Sequence, residues 1–413
     1  SSDLAVRLAG DSIELVREPD GSTISIVIGG TPQDASETAG GDVASGENPA
    51  AEDPAEGLAQ GTVQNTGVIN ASGEIGGNVQ MQASDIVHTG SINADGATGA
   101  GGVVTMQASA NILIGAESVT TANAGLDGDG GSIFIVAERS AVIEGGATIE
   151  ARGGGESGDG GFVETSGHES IEVGAMPDVA APQGNGGTWL IDPTDITIAA
   201  GTSGGAIPGS PVTANTLYAD DISAFLGTGN LVVTTTSPDP DVGDITWLSG
   251  ADILWAGANS LTLEADGGIT VGGTATAASG SLILDAAGAI SLDNAINVSA
   301  LTMTGASIAQ TAGTLSAGDV AVNATGNVTL GSLNDFDDLS GTAASMTVND
   351  VDGLALGNVV TTGNLTIHAG GPLTDTAAAV VMVGGATDLV GGNITLDNAG
   401  NALTGTITAD GAD

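Results

Sequence analysis

The sequence contains no cysteine and no lysine, and aromatic residues make up only 2% of its 413 residues. Without cysteine the chain can form neither a disulfide framework nor a thiol nucleophile. Its basic residues are four arginines, set against 50 acidic residues, which gives a formal net charge of −46. This charge argues against binding nucleic acid or an anionic membrane, because both are polyanions. It favours solubility and an atmosphere of cations.

Long apolar segments are also missing. No apolar run approaches the roughly 20 residues that a membrane-spanning helix needs, so we expect no membrane insertion. Hydrophobic residues nevertheless reach 41%, which argues against disorder throughout the chain. A narrow core of stacked Val, Ile, Leu and Ala suits this composition better than a globular core built on aromatics. The chain starts at Ser1 without a basic and apolar leader, which suggests a mature or excised product.

Glycine is abundant, with 69 residues, and part of it is periodic. Between positions 61 and 198 a glycine doublet recurs roughly every 25 to 30 residues, a period within the range of solenoid repeats. Each doublet is followed by short strands with alternating apolar residues, and this combination predicts a solenoid with three short strands per coil. The doublets are Gly76-Gly77, Gly101-Gly102, Gly130-Gly131, Gly160-Gly161 and Gly186-Gly187.

Residues 233–413 predict a second solenoid array, with shorter coils of roughly 19 to 26 residues that still fall near the usual range of repeat lengths. Its strands come in pairs with a nearly constant offset, as from Leu261 to Ile269 and from Leu282 to Ile290. Residues 331–344 are interpreted as an insertion that lengthens one coil. No helix long enough to connect parallel strands is visible, so successive coils should pair directly in parallel.

Three segments differ from the two arrays. Residues 1–30 predict β-strands that either cap the array or dock on the strand edge of another subunit. Residues 31–60 are rich in acids, Gly, Ala, Ser and Pro, which indicates an acidic flexible linker. Residues 199–232 predict a loop followed by a short helix near 220–226, because acids precede an apolar face and Gly227 follows it. We expect this helix to pack on the flank of the solenoid.

Two stretches resemble a known family. The segment GGSIFIVAERSAVIEGGATIEARGGGESGDGGFVETSG (residues 130–167) and the segment GNGGTWLIDPTDITI (residues 184–198) resemble filamentous-haemagglutinin-like exoproteins of two-partner secretion systems. These are large β-helical surface adhesins of Gram-negative bacteria, and the similarity covers roughly residues 61–300. The family's N-terminal secretion domain is not evident in residues 1–60.

The resemblance implies an all-β, right-handed parallel β-helix. It also implies export through an outer-membrane β-barrel transporter, and an extracellular location on the surface of a Gram-negative bacterium. The receptor is not identified by the sequence.

Catalytic groups are sparse. Parallel β-helices that cleave polysaccharides need a basic residue or paired carboxylates on one face of successive coils. No arginine follows Arg152, and His88, His168 and His368 fall in distant coils. We therefore expect no enzyme, and a polysaccharide-cleaving activity is the third alternative.

Calcium is the one cofactor that the sequence leaves open, since hard cations prefer several oxygen ligands from a turn. Asp127 and Asp129 form one candidate group, and Asp335, Asp337 and Asp338 form another. Neither group has the spacing of an EF-hand loop or of a glycine–aspartate nonapeptide repeat. The alternative is that these carboxylates are solvated turn residues.

The leading functional hypothesis is a non-catalytic, extracellular structural and adhesive rod, with recognition in loops and flanks. The alternative is a subunit of an extracellular fibre or biofilm matrix that forms a head-to-tail homopolymer through its N-terminal strands and exposed coil edges. The three tryptophans, Trp189, Trp247 and Trp255, are expected to fill the core or cover a flank rather than bind sugar.

Overall fold

A computed structural model describes residues 61–203, 214–235 and 243–411, together with the backbone of strands β1 (Val6–Ala9), β2 (Glu14–Arg17) and β3 (Thr23–Val27). The predicted linker at residues 31–60 lies outside the described residues. The described chain is almost entirely parallel β-structure with a single helix, and it winds into a β-solenoid of about 15 turns. The predicted β-solenoid is therefore confirmed.

Each full turn adds rungs to three parallel ladders, which we call A, B and C in the order in which the chain visits them. Several long strands run around a corner and contribute to two or three ladders. Ladder A contains Thr23–Val27, Asn78–His88, Val103–Ile114, Ser132–Ala137, Phe162–Gly167, Thr188–Asp192, Asn230–Thr234, Ser260–Ala265, Ala275–Ala286, Ile296–Gly305, Leu315–Ala324, Asn327–Ala343, Leu354–Thr361, Val381–Val383 and Ala402–Leu403.

Ladder B takes its rungs from the same long strands and from separate short ones. The separate strands are Thr62–Asn65, Ser140–Ile143, Ser170–Val173, Thr216–Tyr218, Ile196–Ala199, Ile245–Trp247, Ile269–Val271, Ala289–Leu292, Ser307–Gln310, Ser345–Asp350, Leu365–Ala369, Thr387–Gly391 and Ile407–Gly411. The separate strands of ladder C are Val68–Asn70, Ser91–Asn93, Val119–Thr121, Thr148–Glu150, Ile253–Trp255, Leu373–Asp375 and Ile394–Thr395.

The core is a set of aliphatic columns inside the coil. In ladder A, Val104 pairs with Ile133, and Ile133 pairs with Val163, each in register and fully buried. Because alternate residues of a strand point to opposite sides, this register places like side chains over one another at roughly 4.8 Å per turn. Burial of these columns drives the winding, since each coil covers the apolar face of its neighbour.

All three tryptophans lie inside the solenoid, as predicted: Trp189, Trp247 and Trp255 are at most 3% exposed. The Trp189 indole nitrogen donates a hydrogen bond of 2.9 Å to the Thr165 hydroxyl. The Trp255 indole occupies space left by Gly280, where an added Cβ would lie 2.0 Å from the indole nitrogen. Glycine at this position therefore makes room for a large ring in a narrow core.

The short helix α1 (Ala219–Phe225) lies where the sequence predicts it, and it buries Ile222 and Phe225. Phe225 makes an edge contact with Trp189, with ring centroids 5.1 Å apart. Before the helix, Thr216–Tyr218 joins ladder B beside Ile196–Ala199. The sequence did not predict this strand, which enters the ladder out of chain order.

Asn215 joins the inserted strand to the preceding turn. It has a φ of 53°, its backbone N–H donates to the Ile171 carbonyl at 2.7 Å, and its side-chain Oδ1 accepts from the Ile171 N–H at 2.8 Å. Asn tolerates this left-handed conformation better than most residues with a Cβ. One asparagine thus satisfies both backbone groups of Ile171 at the break in the ladder.

The predicted insertion at residues 331–344 is wrong. The long strand Asn327–Ala343 contributes in turn to ladder B (Val328 opposite Met346), to ladder C (Phe336 opposite Ala317) and to ladder A (Leu339 opposite Val320). The prediction failed because it compared Met346, a ladder B residue, with ladder A residues of earlier coils. Within ladder A, the step along the chain from Val320 to Leu339 is as long as the preceding step from Leu301 to Val320.

The described N-terminal strands pair with the first coil of the same chain. β1 runs antiparallel to Thr62–Asn65, β3 runs parallel to Asn78–His88, and β2 forms a hairpin with β3. This arrangement is the one expected of a cap, and docking on another subunit stays a prediction. Among the described residues, no helix has the length and hydrophobicity to span a membrane.

Candidate functional surface

An acidic groove of about 460 Å³ lies in the second array, at the corner between ladders A and B. Its walls include Glu264, Asp266 and Asp285, and its floor includes Ala286 and Gly305. The groove is open along one side and crosses several successive turns. We call this surface the corner groove.

Regular register builds the corner groove from two columns of equivalent positions. The outer column runs from Glu264 to Asp285, then to Thr304 and Asn323, each paired with the next. The neighbouring column contains only small residues, of which Ala265 pairs with Ala286, and Gly305 pairs with Ala324. Small residues at a corner leave a depression, whereas longer side chains would fill it.

The chemistry of the corner groove is that of an anionic surface. Glu264 and Asp285 occupy adjacent rungs, so their carboxylates repel each other and attract cations. No histidine or arginine is among the residues that line the groove. The two described arginine side chains are engaged elsewhere, Arg139 with Glu169 at 3.2 Å and Arg152 with Asp178 at 2.6 Å.

The corner groove was not predicted from the sequence. Its signal is present as a small residue at the last position of successive ladder A strands, as in Ala265, Ala286 and Gly305. Such residues are common throughout this chain, so the pattern becomes visible only when the coil register is known.

The first calcium candidate group lies in a turn of the first array. Asp127 accepts a hydrogen bond of 3.0 Å from the Ser157 hydroxyl, and Asp129 accepts one of 2.8 Å from the Asp159 N–H. Asp159 in turn accepts from the Asn185 N–H at 2.7 Å. These carboxylates therefore connect one coil to the next.

The second calcium candidate group lies on the long strand Asn327–Ala343. Asp335 and Asp337 are exposed on either side of the buried Phe336, and Asp338 pairs with Asp319 of the preceding turn. No cluster of three or more His, Asp or Glu in the described part of the chain is arranged to hold a metal ion. The structure thus leaves the two groups in different arrays, and calcium binding stays a hypothesis.

The three histidines do not come together. His88 is fully buried in the first array, where Asn65 Nδ2 lies 3.1 Å from His88 Nδ1 and the Val119 carbonyl lies 3.4 Å from His88 Nε2. Burial lowers the pKa of His88 to about 4, so the ring is neutral near pH 7. His368, far along the second array, is exposed and lies 3.5 Å from Asp388.

A second buried ionisable group, Asp350, occupies a corner of the second array and is 2% exposed. Its carboxylate accepts hydrogen bonds from the Phe336 N–H at 2.9 Å and from the Asp352 N–H at 3.1 Å. Burial nevertheless raises its pKa to about 6. The adjacent turns place Gln310 and Asn334 in the same corner, with two side-chain hydrogen bonds of 2.8 and 3.1 Å between them.

These buried polar residues tie backbone groups together at a tight corner. The Asn334 Oδ1 also accepts from the Leu315 N–H at 2.9 Å. Their role is structural, because their polar atoms face the backbone of their own corner. The sequence offered no signal for them, since Asn and Asp are frequent in exposed turns as well.

Residues 341–410, which form the last turns of the solenoid, match a family described as repeats of unknown function (DUF5649). Comparison with curated proteins gave no match. The matched segment contains rungs of all three ladders, so the match falls on complete coils at the end of the second array.

Proposed function

We propose that this chain is a non-catalytic structural rod with an adhesive role on the outside of a bacterial cell. The observation that carries the proposal is the continuous β-solenoid of about 15 turns. At roughly 4.8 Å per turn, such a stack extends about 70 Å. It holds its outward residues at fixed spacing, which suits a spacer or a binding surface.

The composition of the outer surface supports an extracellular rod. With 50 acidic residues and four arginines, the rod repels copies of itself and stays dispersed at moderate ionic strength. The resemblance to exported β-helical adhesins supports secretion through an outer-membrane transporter. In this proposal the receptor-binding residues lie in loops and flanks, where substitutions leave the stacked core intact.

A non-catalytic role is supported by the corner groove. Glu264 and Asp285 stand on adjacent rungs of the same ladder, and no basic residue is among the groove residues. General acid–base catalysis by two carboxylates needs pKa values that differ, usually through a neighbouring charge or strong burial. Both carboxylates are exposed, and the residues that line the groove place no basic side chain beside them.

Two measurements on the purified chain test the proposal. Electron microscopy should show discrete thin rods of one length, and beads coated with the chain should adhere to bacterial or host cells more than beads coated with an acidic control protein. Filaments of variable length would favour the fibre alternative. Rods without adhesion would reduce the proposal to a spacer, and release of reducing or unsaturated sugar ends from polysaccharides would contradict a non-catalytic role.

A further inference from the structure

Six asparagines of the described chain begin the tripeptide Asn-x-Ser or Asn-x-Thr, with a residue other than proline in the middle. They are Asn70, Asn297, Asn323, Asn327, Asn364 and Asn393, and the hydroxyl residues that follow them are Ser72, Ser299, Thr325, Thr329, Thr366 and Thr395. This tripeptide is the acceptor sequence for sugars attached to the asparagine side chain. So short a motif also arises by chance, and its structural setting therefore decides what it means. We call these six residues the acceptor asparagines.

All six acceptor asparagines are exposed. Of the other fifteen asparagines that the structure describes, only four are exposed, and these are Asn78, Asn111, Asn185 and Asn358. Because alternate residues of a strand face opposite sides, an outward asparagine carries its hydroxyl residue outward as well. Asn327 and Thr329 show this arrangement, since both are exposed and the residue between them, Val328, is buried.

The side-chain nitrogen gives a second, independent distinction. Within the described residues, no acceptor asparagine donates a hydrogen bond from Nδ2, whereas twelve of the fifteen other asparagines do. Asn259 is typical of those twelve, because its Nδ2 donates to the Leu226 carbonyl at 2.8 Å and so ties one coil to another. The chain thus commits its other amides to its own backbone and side chains and leaves these six free to react.

Where acceptor asparagines do form hydrogen bonds, they use the side-chain oxygen. Asn364 Oδ1 accepts from the Ala386 N–H at 2.9 Å. Asn323 Oδ1 accepts from the Thr342 hydroxyl at 3.2 Å. Contacts of this kind hold the amide in one orientation and leave both of its N–H groups available to an enzyme.

We propose that the acceptor asparagines are modification sites at which a separate transferase attaches N-linked sugars. The donor is a sugar whose C1 carries a diphosphate ester. Asparagine Nδ2 attacks this carbon, so that the C1–N bond forms as the C1–O bond to the diphosphate breaks. The diphosphate leaves with the bonding electron pair, and a base of the transferase takes the proton that the amide loses. The reaction requires an accessible and unengaged Nδ2, which is the property that distinguishes these six asparagines.

Sugars at these positions are compatible with the fold. Each acceptor asparagine is exposed, so a bulky substituent extends into solvent and the buried aliphatic columns stay as they are. Five of the six lie in the second array, and Asn323 and Asn327 stand on either side of one turn between ladders A and B. The inference goes beyond the proposed adhesive rod and can fail without affecting it.

The test is mass spectrometry of the chain purified from the bacterium that produces it, beside the same chain made in a host without a sugar transferase for asparagine. The first should be heavier by a whole number of sugar residues, and peptide fragmentation should locate every one of them on acceptor asparagines. Increments of one sugar would identify a nucleoside diphosphate sugar as the donor. Larger increments of constant mass would identify an oligosaccharide assembled on a lipid diphosphate.

Variants at one site test the role of the tripeptide in the producing bacterium. Asn327→Gln should remove the sugar at this position. Thr329→Ala should remove it as well, although Asn327 is still present, because the hydroxyl residue of the acceptor sequence is lost. Thr329→Ser should retain the sugar. Circular dichroism of the three variants should match the wild type, since both positions are exposed.

The matched control is Asn358→Gln. Asn358 is exposed and its Nδ2 donates no hydrogen bond within the described residues, but Val360 stands where the acceptor sequence requires a hydroxyl residue. This variant should carry the same number of sugars as the wild type. A chain from the producing bacterium with the mass of its bare sequence would overturn the proposal, as would sugars attached to Ser or Thr or to Asn358. Full retention of the sugar on Asn327 in Thr329→Ala would also overturn it.

Discussion

At the scale of single residues, the core of this solenoid is apolar apart from a few buried polar side chains. Some of these side chains form hydrogen bonds within the protein and others do not. Thr120 lies between Ile92 and Ile149 in an inward column, is fully buried, and its hydroxyl has no hydrogen-bond partner in the described chain. Thr165 is buried as well, but its hydroxyl accepts from Trp189. The two threonines therefore predict opposite responses to the same substitution.

We expect Thr120→Val to raise the free energy of unfolding by about 1 kcal/mol, because it removes an unsatisfied hydroxyl without changing shape. Thr165→Val should lower it by about 1 to 3 kcal/mol, because the buried Trp189 N–H loses its acceptor. Chemical denaturation of both variants beside the wild type measures the two shifts. Destabilisation by Thr120→Val equal to that by Thr165→Val would contradict the assigned hydrogen bonding.

The buried His88 predicts a pH dependence. Its pKa falls from 6.5 to about 4 on folding, so the unfolded chain binds more protons between these values. The stability that neutral His88 contributes is complete above pH 6.5 and is lost as the pH falls towards 4, by about 3 kcal/mol in all. Asp350, whose pKa is raised to about 6, acts with the opposite sign, because its contribution is lost as the pH rises through 6.

His88→Gln isolates the histidine contribution, since an amide can still accept from Asn65 and donate to the Val119 carbonyl. Unfolding free energies of both proteins measured from pH 7.5 to 4 should converge as the pH falls, because only the wild type loses stability through this residue. Parallel curves would contradict the assignment of a buried neutral ring.

At this scale, the burial of a residue could be predicted from the sequence when its residue type is rare in the chain. Trp189, Trp247 and Trp255 were predicted to be packed, and they are buried. The sequence could not distinguish Asn334 and Asp350, which are buried at a corner, from the many exposed Asn and Asp residues of turns. Their burial depends on which corner of the coil they occupy, and that follows only from register.

At the scale of strands and turns, glycine positions fix how large side chains fit into a thin core. Gly280→Ala would place a Cβ 2.0 Å from the Trp255 indole nitrogen, so the ring or the strand must move. We expect a loss of about 1 to 3 kcal/mol in unfolding free energy, the usual cost of overpacking. Thermal and chemical denaturation measure the loss.

Gly331→Ala is the matched control, because the nearest atom to its added Cβ, Thr329 Cγ2, is 4.0 Å away. It should leave stability within about 0.5 kcal/mol of the wild type. If Gly280→Ala were equally harmless, the buried position of the Trp255 ring would be wrong.

The alternating strands and the helix could be predicted because they depend on local periodicity. The assignment of strands to ladders could not, because ladders A and B have similar lengths and similar aliphatic residues. Met346 is the example: its strand resembles those of ladder A, but it pairs with Val328 in ladder B. The inserted strand Thr216–Tyr218 was missed for another reason, because it enters its ladder out of chain order.

At the scale of the whole molecule, unbalanced charge opposes the stacking of the coils. A net charge of −46 on one rod produces repulsion that mobile ions screen. The thermal midpoint should therefore rise as sodium chloride increases from 10 mM to 0.5 M. Differential scanning calorimetry in buffers of increasing salt measures the shift.

The same experiment addresses calcium. If the carboxylates are only screened, then calcium should act as any divalent ion does, and a chelator at fixed ionic strength should leave the midpoint unchanged. A saturable increase with calcium that magnesium cannot reproduce would instead establish a specific site. Removing the two candidate groups separately, by Asp129→Asn and Asp337→Asn, would then locate it.

The fold class of the whole molecule could be predicted because every coil repeats the same alternation and every apolar face needs a neighbour. The corner groove could not, because it is a property of columns whose members are separated in the sequence by a whole coil. In ladder B, likewise, Thr270 and Thr347 belong to one column only because Ser291, Ala309 and Thr329 lie between them in register.

The central claim is that successive coils stack as parallel rungs in register. Distances between pairs of spin labels on ladder B test it most directly. Because the sequence contains no cysteine, labels can be attached at introduced cysteines alone. Cysteines at Thr270 and Thr347 are four rungs apart, and those at Thr270 and Thr408 are seven rungs apart. Pulsed electron paramagnetic resonance should give narrow distributions near roughly 19 Å and 34 Å, in proportion to the number of rungs at about 4.8 Å each. Broad distributions, or distances that do not scale with the number of rungs, would contradict the solenoid.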